Sequence, residues 1–187
     1  ARNATLTLDG EGSLETETNA TAPAIGPADG NTYSYDAATG KAHNDMRILG
    51  NLHIKSGTYN LKVANADYGL GRYGNNAFGN LTIDDGIITI KKDDDEYGSI
   101  NQHSNAAGGK ITINGGTINA KQIRQEVTNA EKAMLEINGG TLNLSLNGDA
   151  VYTNSPLSIK DTEINCPAEN LNAGVKAKYG LTIEDSD

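Results

Sequence analysis

Residues 111–119 read Ile111-Thr-Ile-Asn-Gly-Gly-Thr-Ile-Asn119, and the phrase returns almost unchanged as Leu135-Glu-Ile-Asn-Gly-Gly-Thr-Leu-Asn143. Looser copies are Leu52-His-Ile-Lys-Ser-Gly-Thr-Tyr-Asn60, Leu81-Thr-Ile-Asp-Asp-Gly-Ile-Ile-Thr89 and Leu157-Ser-Ile-Lys-Asp-Thr-Glu-Ile-Asn165. Weaker ones flank them, Leu6-Thr-Leu-Asp-Gly-Glu-Gly-Ser-Leu14 before and Leu181-Thr-Ile-Glu-Asp185 after. A phrase repeated at fixed phase is the signature of a repeat architecture. Inside each copy apolar and polar residues alternate, as in Leu135 and Ile137 around Glu136, which is the period of a strand. Between the two strands sits Asn-Gly-Gly or Asp-Asp-Gly, a turn in which Gly supplies positive φ and Asn or Asp tolerates it.

Asn-Gly also makes hairpins, so an antiparallel arrangement competes with a coil. The spacing favours the coil. Copies begin at 52, 81, 111, 135, 157 and 181, at intervals of 29, 30, 24, 22 and 24 residues, and a third apolar stretch occurs once per interval. These third stretches are Ala24-Ile25, Tyr68-Gly-Leu70, Gly98-Ser-Ile100, Gln122-Ile123, Ala150-Val-Tyr152 and Gly174-Val-Lys-Ala177. Three strands per interval, stacked about 4.8 Å apart, pair each strand in parallel with its copies and bury the apolar columns together. The fold expected is all-β: a single-stranded parallel β-helix of about six complete rungs, right-handed as parallel crossovers almost always are. The 22 Gly and 22 Asn suit recurring turns, and Asn114 with Asn138, and Asn119 with Asn143 and Asn165, are candidate side-chain ladders.

Two segments depart from the repeat. Pro27 to Arg47 is polar and glycine-punctuated, stretches the first interval to 46 residues, and reads as a loop excursion from the single domain of 1–187. Gln122 to Met134 carries apolar residues at 123, 127, 130 and 134, so a short helix competes there with the third strand. The chain opens almost inside one strand phrase and ends inside another. It is therefore expected to be a mature or excised piece of a longer protein.

The net charge of −9, with no basic cluster, argues against a nucleic-acid partner. No apolar run is long enough for membrane insertion by a helix. With eight Tyr, one Phe and no Trp, any stacking platform must be built from Tyr. The single cysteine, Cys166, falls on an apolar repeat position and is expected to be a small buried hydrophobe. Asn3, Asn19 and Asn80 open glycosylation acceptor triplets, a chance expectation in a chain this rich in Asn and Thr.

In Ile113 to Asn119, Ile137 to Asn143 and the Gly-Val-Lys-Ala-x-x-Gly-Leu-Thr-Ile of Gly174 to Ile183, the chain resembles the pectate-lyase-like β-helix repeats of bacterial cell-surface proteins, including those called carbohydrate-binding domains. The first copy followed by Ala22-Pro-Ala-Ile-Gly26 looks like the opening rung of such proteins, with Pro23 in place of a usual glycine. The resemblance covers most of the chain and implies a secreted or wall-associated protein that touches polysaccharide or cell-wall glycan. The motif specifies a coil far better than a ligand.

Three constellations bear on chemistry. Asp93, Asp94, Asp95 and Glu96 follow Lys91-Lys92 in one loop, a possible calcium site or simply a solvated charged loop; no other cofactor is implied. A calcium-dependent polysaccharide lyase would need, beside that metal, a basic residue such as Arg72 or Arg124 to take a proton, and nothing in the spacing selects one. The third is a column on the third strand. With Leu70, Ile100, Ile123, Val151 and Val175 equivalent, the next residues are Gly71, Asn101, Arg124, Tyr152 and Lys176. Two further along stand Tyr73, His103, Glu126, Asn154 and Lys178. Tyr73, Asn101, His103, Arg124, Tyr152 and Lys176 are the candidate ligand-binding residues, groups that pair with or stack on sugars. Long turns follow this strand at 74–80, 104–110 and 128–134 and would flank the column. The function expected is non-catalytic polysaccharide binding or adhesion by an exported bacterial protein; a lyase and a purely structural surface stalk are the alternatives.

Overall fold

The computed structural model describes residues 5–18, 23–26, 33–36, 41–44, 48–64, 68–72, 77–92, 96–104, 109–127, 133–146, 148–167 and 174–187. Each copy of the repeat supplies two strands and the stretch after it a third. The first rung holds β1 (Thr5–Leu8) and β2 (Ser13–Thr18), with Ile25 bridging in parallel to Leu70 in place of a third strand. Next in the chain come β3 (Tyr33–Asp36), β4 (Lys41–Asn44) and β5 (Ile48–Leu49). Rung two is β6 (Asn51–Ile54), β7 (Thr58–Val63) and β8 (Tyr68–Arg72), followed by the short β9 (Ala77–Phe78). Rung three is β10 (Leu81–Ile83), β11 (Ile87–Lys92) and β12 (Ser99–Ser104); rung four is β13 (Lys110–Ile113), β14 (Thr117–Ala120) and β15 (Ile123–Val127). Rung five is β16 (Met134–Ile137), β17 (Gly140–Leu144) and β18 (Val151–Thr153), and rung six is β19 (Leu157–Lys160), β20 (Thr162–Asn165) and β21 (Val175–Ala177). A seventh begins with β22 (Leu181–Glu184).

Like strands stack into three parallel sheets. Sheet A runs β1-β6-β10-β13-β16-β19-β22, sheet B β2-β7-β11-β14-β17-β20, and sheet C β8-β12-β15-β18-β21. The molecule is a parallel β-helix with the three-strand rung that the repeat predicts: among the described residues rungs two to six carry all three strands, and the first is closed by the Ile25 bridge. In Pro27 to Arg47, β3 and β4 form an antiparallel hairpin that joins none of the three sheets, and β5 pairs with β9. The short helix weighed for 122–134 is not formed where the chain is described: Ile123–Val127 is a strand, with Ile123, Gln125 and Val127 buried at alternate positions.

Register places identical repeat positions on top of one another. Leu52, Leu81, Ile111, Leu135 and Leu157 form one buried column of sheet A, and Ile54, Ile83, Ile113, Ile137 and Ile159 a second. Tyr59, Ile88, Ile118 and Leu142 line sheet B, and Leu70, Ile100, Ile123 and Val151 line sheet C. Full burial of such a side chain contributes about 1.5–3 kcal/mol, so these columns supply the main favourable term. The turn between sheets A and B stacks as tightly: Gly116 has φ +83°, and a Cβ there would lie 2.5 Å from the Gly86 carbonyl oxygen of the rung before. Glycine is required at that position on both counts.

The outer faces carry the amide ladders. Asn143 Nδ2 donates to Asn119 Oδ1 at 2.8 Å, Asn165 Nδ2 to Asn143 Oδ1 at 3.1 Å, and Asn119 Nδ2 to Thr89 Oγ1 at 3.1 Å. Across the turns Asn138 donates to Asn114 at 3.0 Å, Asn114 to Asp84 at 2.8 Å, and His53 Nε2 lies 2.6 Å from the other oxygen of Asp84. Cys166 differs from expectation. It is half-buried, because β20 lies near the last rung and only part of its side chain meets the core.

Candidate functional site

Sheet C sets the candidate column by register. Leu70, Ile100, Ile123, Val151 and Val175 pair in sequence across the rungs, which makes Gly71, Asn101, Arg124, Tyr152 and Lys176 neighbours in one row. Strand alternation then turns the next residues inward. Gln102, Gln125 and Thr153 are buried and joined: Gln125 Nε2 donates to Gln102 Oε1 at 2.8 Å and to the Gly109 carbonyl at 3.0 Å, while Thr153 Oγ1 donates to Gln125 Oε1 at 3.1 Å. Of the third set of positions, His103 pairs with Glu126 in the strand register. The side chain of Asn154 is committed to structure, accepting from the Val127 N–H at 2.9 Å and donating to its carbonyl at 2.8 Å.

The row Asn101, Arg124, Tyr152 and Lys176 differs strongly in access. Asn101 is 2% and Tyr152 7% exposed, whereas the side chains of Arg124 and Lys176 are 36% and 50% exposed. The Tyr152 ring has the Arg124 guanidinium 4.9 Å from its centroid and the ammonium groups of Lys176 and Lys178 at 5.7 and 5.8 Å. Tyr152 is therefore the hub of a cation–π cluster rather than an open stacking platform. Its hydroxyl and Lys178 are hydrogen-bonded, which raises the Lys178 pKa. Two carboxylates answer the three cations: Glu126 binds Arg124, and Asp149 Oδ2 accepts from Lys176 at 2.9 Å.

Three polar atoms in this patch are buried without a partner: Asn101 Oδ1, Arg124 Nε and Asp149 Oδ1. A buried polar group left unpaired costs about 1–3 kcal/mol, and three of the five such atoms among the described residues belong to this patch, the others being Thr16 Oγ1 and Ser99 Oγ.

Tyr73 lies outside the described residues, as do Asp93, Asp94 and Asp95 and most of the long turns at 74–80, 104–110 and 128–134. Glu96 is described: it is exposed, its carboxylate stands 3.9 Å from Lys92 Nζ, and its carbonyl accepts from the Lys92 N–H. Among the described residues no group of three or more His, Cys, Asp or Glu is gathered in a way that could hold a metal ion. Among them, too, no helix is long and apolar enough to cross a membrane.

Asp149 and Tyr97 sit in turns between strands and so fall outside the aligned rows of the repeat. Tyr97 bridges back antiparallel to Lys91 and carries that lysine's ammonium 3.9 Å from its ring centroid. The signal for Tyr97 was present as the one aromatic residue in the loop after Lys91-Lys92.

Residues 37–187 match a family described as "Carbohydrate-binding domain-containing protein". The chain belongs to that family. The match takes in every rung from the second onward, and with them sheet C and its polar row. No curated protein and no solved structure matches the chain. The family's description, a carbohydrate-binding domain, points to a glycan as the partner.

Proposed function

We propose that the chain is a non-catalytic polysaccharide-binding or adhesion domain of an exported bacterial protein, and that it contacts glycan through the outer face of sheet C. The reading rests on the row Asn101, Arg124, Tyr152 and Lys176, neighbours in strand register on one face, of which the Arg124 and Lys176 side chains are 36% and 50% exposed. Both of these cations present N–H donors, and a sugar hydroxyl accepts as well as donates. Arg124, Tyr152 and Lys176 extend the row along the axis, so that a chain lying parallel to it meets a polar group on successive rungs. Tyr73 and His103 belong to the same proposed surface by their place in the repeat. With three cations and two carboxylates around Tyr152, the patch is close to balanced in charge and suits hydroxyl-rich ligands as well as carboxylated ones.

A glycan array carrying neutral and uronate polysaccharides tests this. Wild-type protein is expected to bind, and the triple variant Arg124→Ala, Tyr152→Ala, Lys176→Ala to bind at least about tenfold more weakly while keeping its β-sheet circular dichroism. Absence of any bound glycan, or unchanged affinity in the folded triple variant, would sink the proposal and leave a structural stalk as the better account.

A further inference from the structure

A second recess lies away from the sheet C row, where sheet B turns toward sheet C. It is a cleft of about 320 Å³ lined by Tyr97, Asn143, Ser145, Asn165, Cys166 and Pro167, with the edge of Leu144 at its base. That volume is at the lower end of the range for small-ligand sites, about 300–1,000 Å³, and fits one sugar ring rather than a long segment. Its wall exists because the loop after β11 folds back: Tyr97 bridges to Lys91, and the Gly98 carbonyl accepts from the Lys121 N–H of the next rung at 2.7 Å. The half-buried Tyr97 thereby stands beside residues of rungs five and six.

The polar lining retains unused hydrogen-bonding capacity. Asn165 spends both amide hydrogens, on Asn143 Oδ1 and Glu163 Oε1, which leaves its Oδ1 as an acceptor. Asn143 donates one hydrogen to Asn119 and keeps the other, and the Ser145 hydroxyl is exposed beside it. An aromatic ring, a proline and a thiol, together with amide and hydroxyl groups, match the apolar face and hydroxyl rim of a pyranose. No charged side chain lines the cleft.

We propose that this cleft is a distinct subsite for a single uncharged pyranose unit, with Tyr97 as its apolar wall and Asn143, Ser145 and Asn165 as its polar edge. The proposal builds on the carbohydrate-binding reading but uses none of the residues of the sheet C row. Because the contacts are uncharged, binding here is nearly insensitive to salt, unlike contacts made through Arg124 and Lys176.

Cys166 offers a readout in the wild-type protein, since it is the only cysteine of the chain and lines the cleft. The experiment measures its modification rate with a thiol-reactive disulfide, with and without saturating cellohexaose, xylohexaose or maltohexaose, alongside calorimetric affinities at low and high salt. At least one hexaose is expected to slow modification several-fold, and its affinity to change by less than about twofold between about 50 and 500 mM salt. Tyr97→Ala is expected to weaken that hexaose about tenfold, and Ser145→Ala to weaken it less. If a hexaose binds but Cys166 reactivity and the Tyr97→Ala and Ser145→Ala affinities do not change, the subsite is refuted and the sheet C proposal stands. If none of the three hexaoses binds while acidic glycans do, the subsite again fails alone. If no glycan binds at all, both proposals fall.

Discussion

At the scale of single residues, the most informative group is Asp84. Its carboxylate ties its own rung to both neighbours, accepting from Asn114 Nδ2 at 2.8 Å on one side and lying 2.6 Å from His53 Nε2 on the other. The hydrogen bond from Asn114, and after it that from His53, hold its pKa below the ordinary 3.8. A carboxylate whose folded pKa lies below its unfolded value stabilises the fold fully above the unfolded pKa, and the contribution disappears as pH falls through the folded one. Asp84→Asn keeps an acceptor for Asn114 but cannot ionise. In urea titrations the wild type is expected to exceed Asp84→Asn in stability at pH 5, and the gap to close steadily below about pH 4. A gap that stays constant from pH 5 to pH 2.5 would show that the charge of Asp84 does not support the fold.

At the scale of elements, the inner face of sheet C is where local rules were least sufficient. Gln125 is fully buried in a strand, yet its side chain donates to Gln102, Gly109 and Met134 and accepts from Thr153 and Ser155. It joins β12, β15 and β18 to the Gly109 and Met134 carbonyls at the start of sheet A strands, contacts that an apolar side chain could not make. Gln125→Ala strands several of these groups, each at about 1–3 kcal/mol, and is expected to cost more than about 3 kcal/mol in urea unfolding. By contrast Asn143→Ala, which removes partly exposed ladder bonds that water can replace, is expected to cost about 1 kcal/mol. Equal costs would mean that the interior amides are no more important than the outer ladder. The difference also shows what a reader of sequence can and cannot see. Leu-x-Ile-Asn-Gly-Gly announces its strands, turn and even its Asn ladders, because alternation and positive φ are local. Gln102 and Gln125 are polar in a strand whose buried positions are otherwise apolar, and their partners lie 23 residues apart in the chain. The candidate row suffered in the same way: the register put Asn101, Arg124, Tyr152 and Lys176 together as expected, but the cations that close over Tyr152, and the return of Tyr97 onto the next rungs, are tertiary events.

At the scale of the whole molecule, a coil in which each rung touches only its neighbours has stability that varies along its axis. Central rungs are paired on both sides, and their inward residues are sealed: Ile83, Ile113 and Ile137 are at most 0% exposed. At the two ends of the stack the same repeat positions stand open, with Leu6 at 54% and Leu181 and Ile183 at 47% and 52% exposed. Each end rung therefore gains burial from one side only while its residues lose as much conformational freedom as those in the middle. The amide of Lys55 donates to Leu8 of the first rung at 2.8 Å, and is released whenever that rung detaches; the amide of Asn138 donates to Ile113 at 2.7 Å and is released only when the middle of the coil opens. Hydrogen exchange is expected to be at least about tenfold slower at Asn138 than at Lys55 after correction for intrinsic rates, with Asn114 beside Asn138 in protection. The candidate glycan surfaces sit on rungs two to six, so a ligand that spans several rungs would slow exchange across all of them together, whereas one held by a single rung would protect only its own amides. Uniform protection from Lys55 to Asp161 without ligand would contradict the nearest-neighbour picture and indicate that the coil opens as one unit.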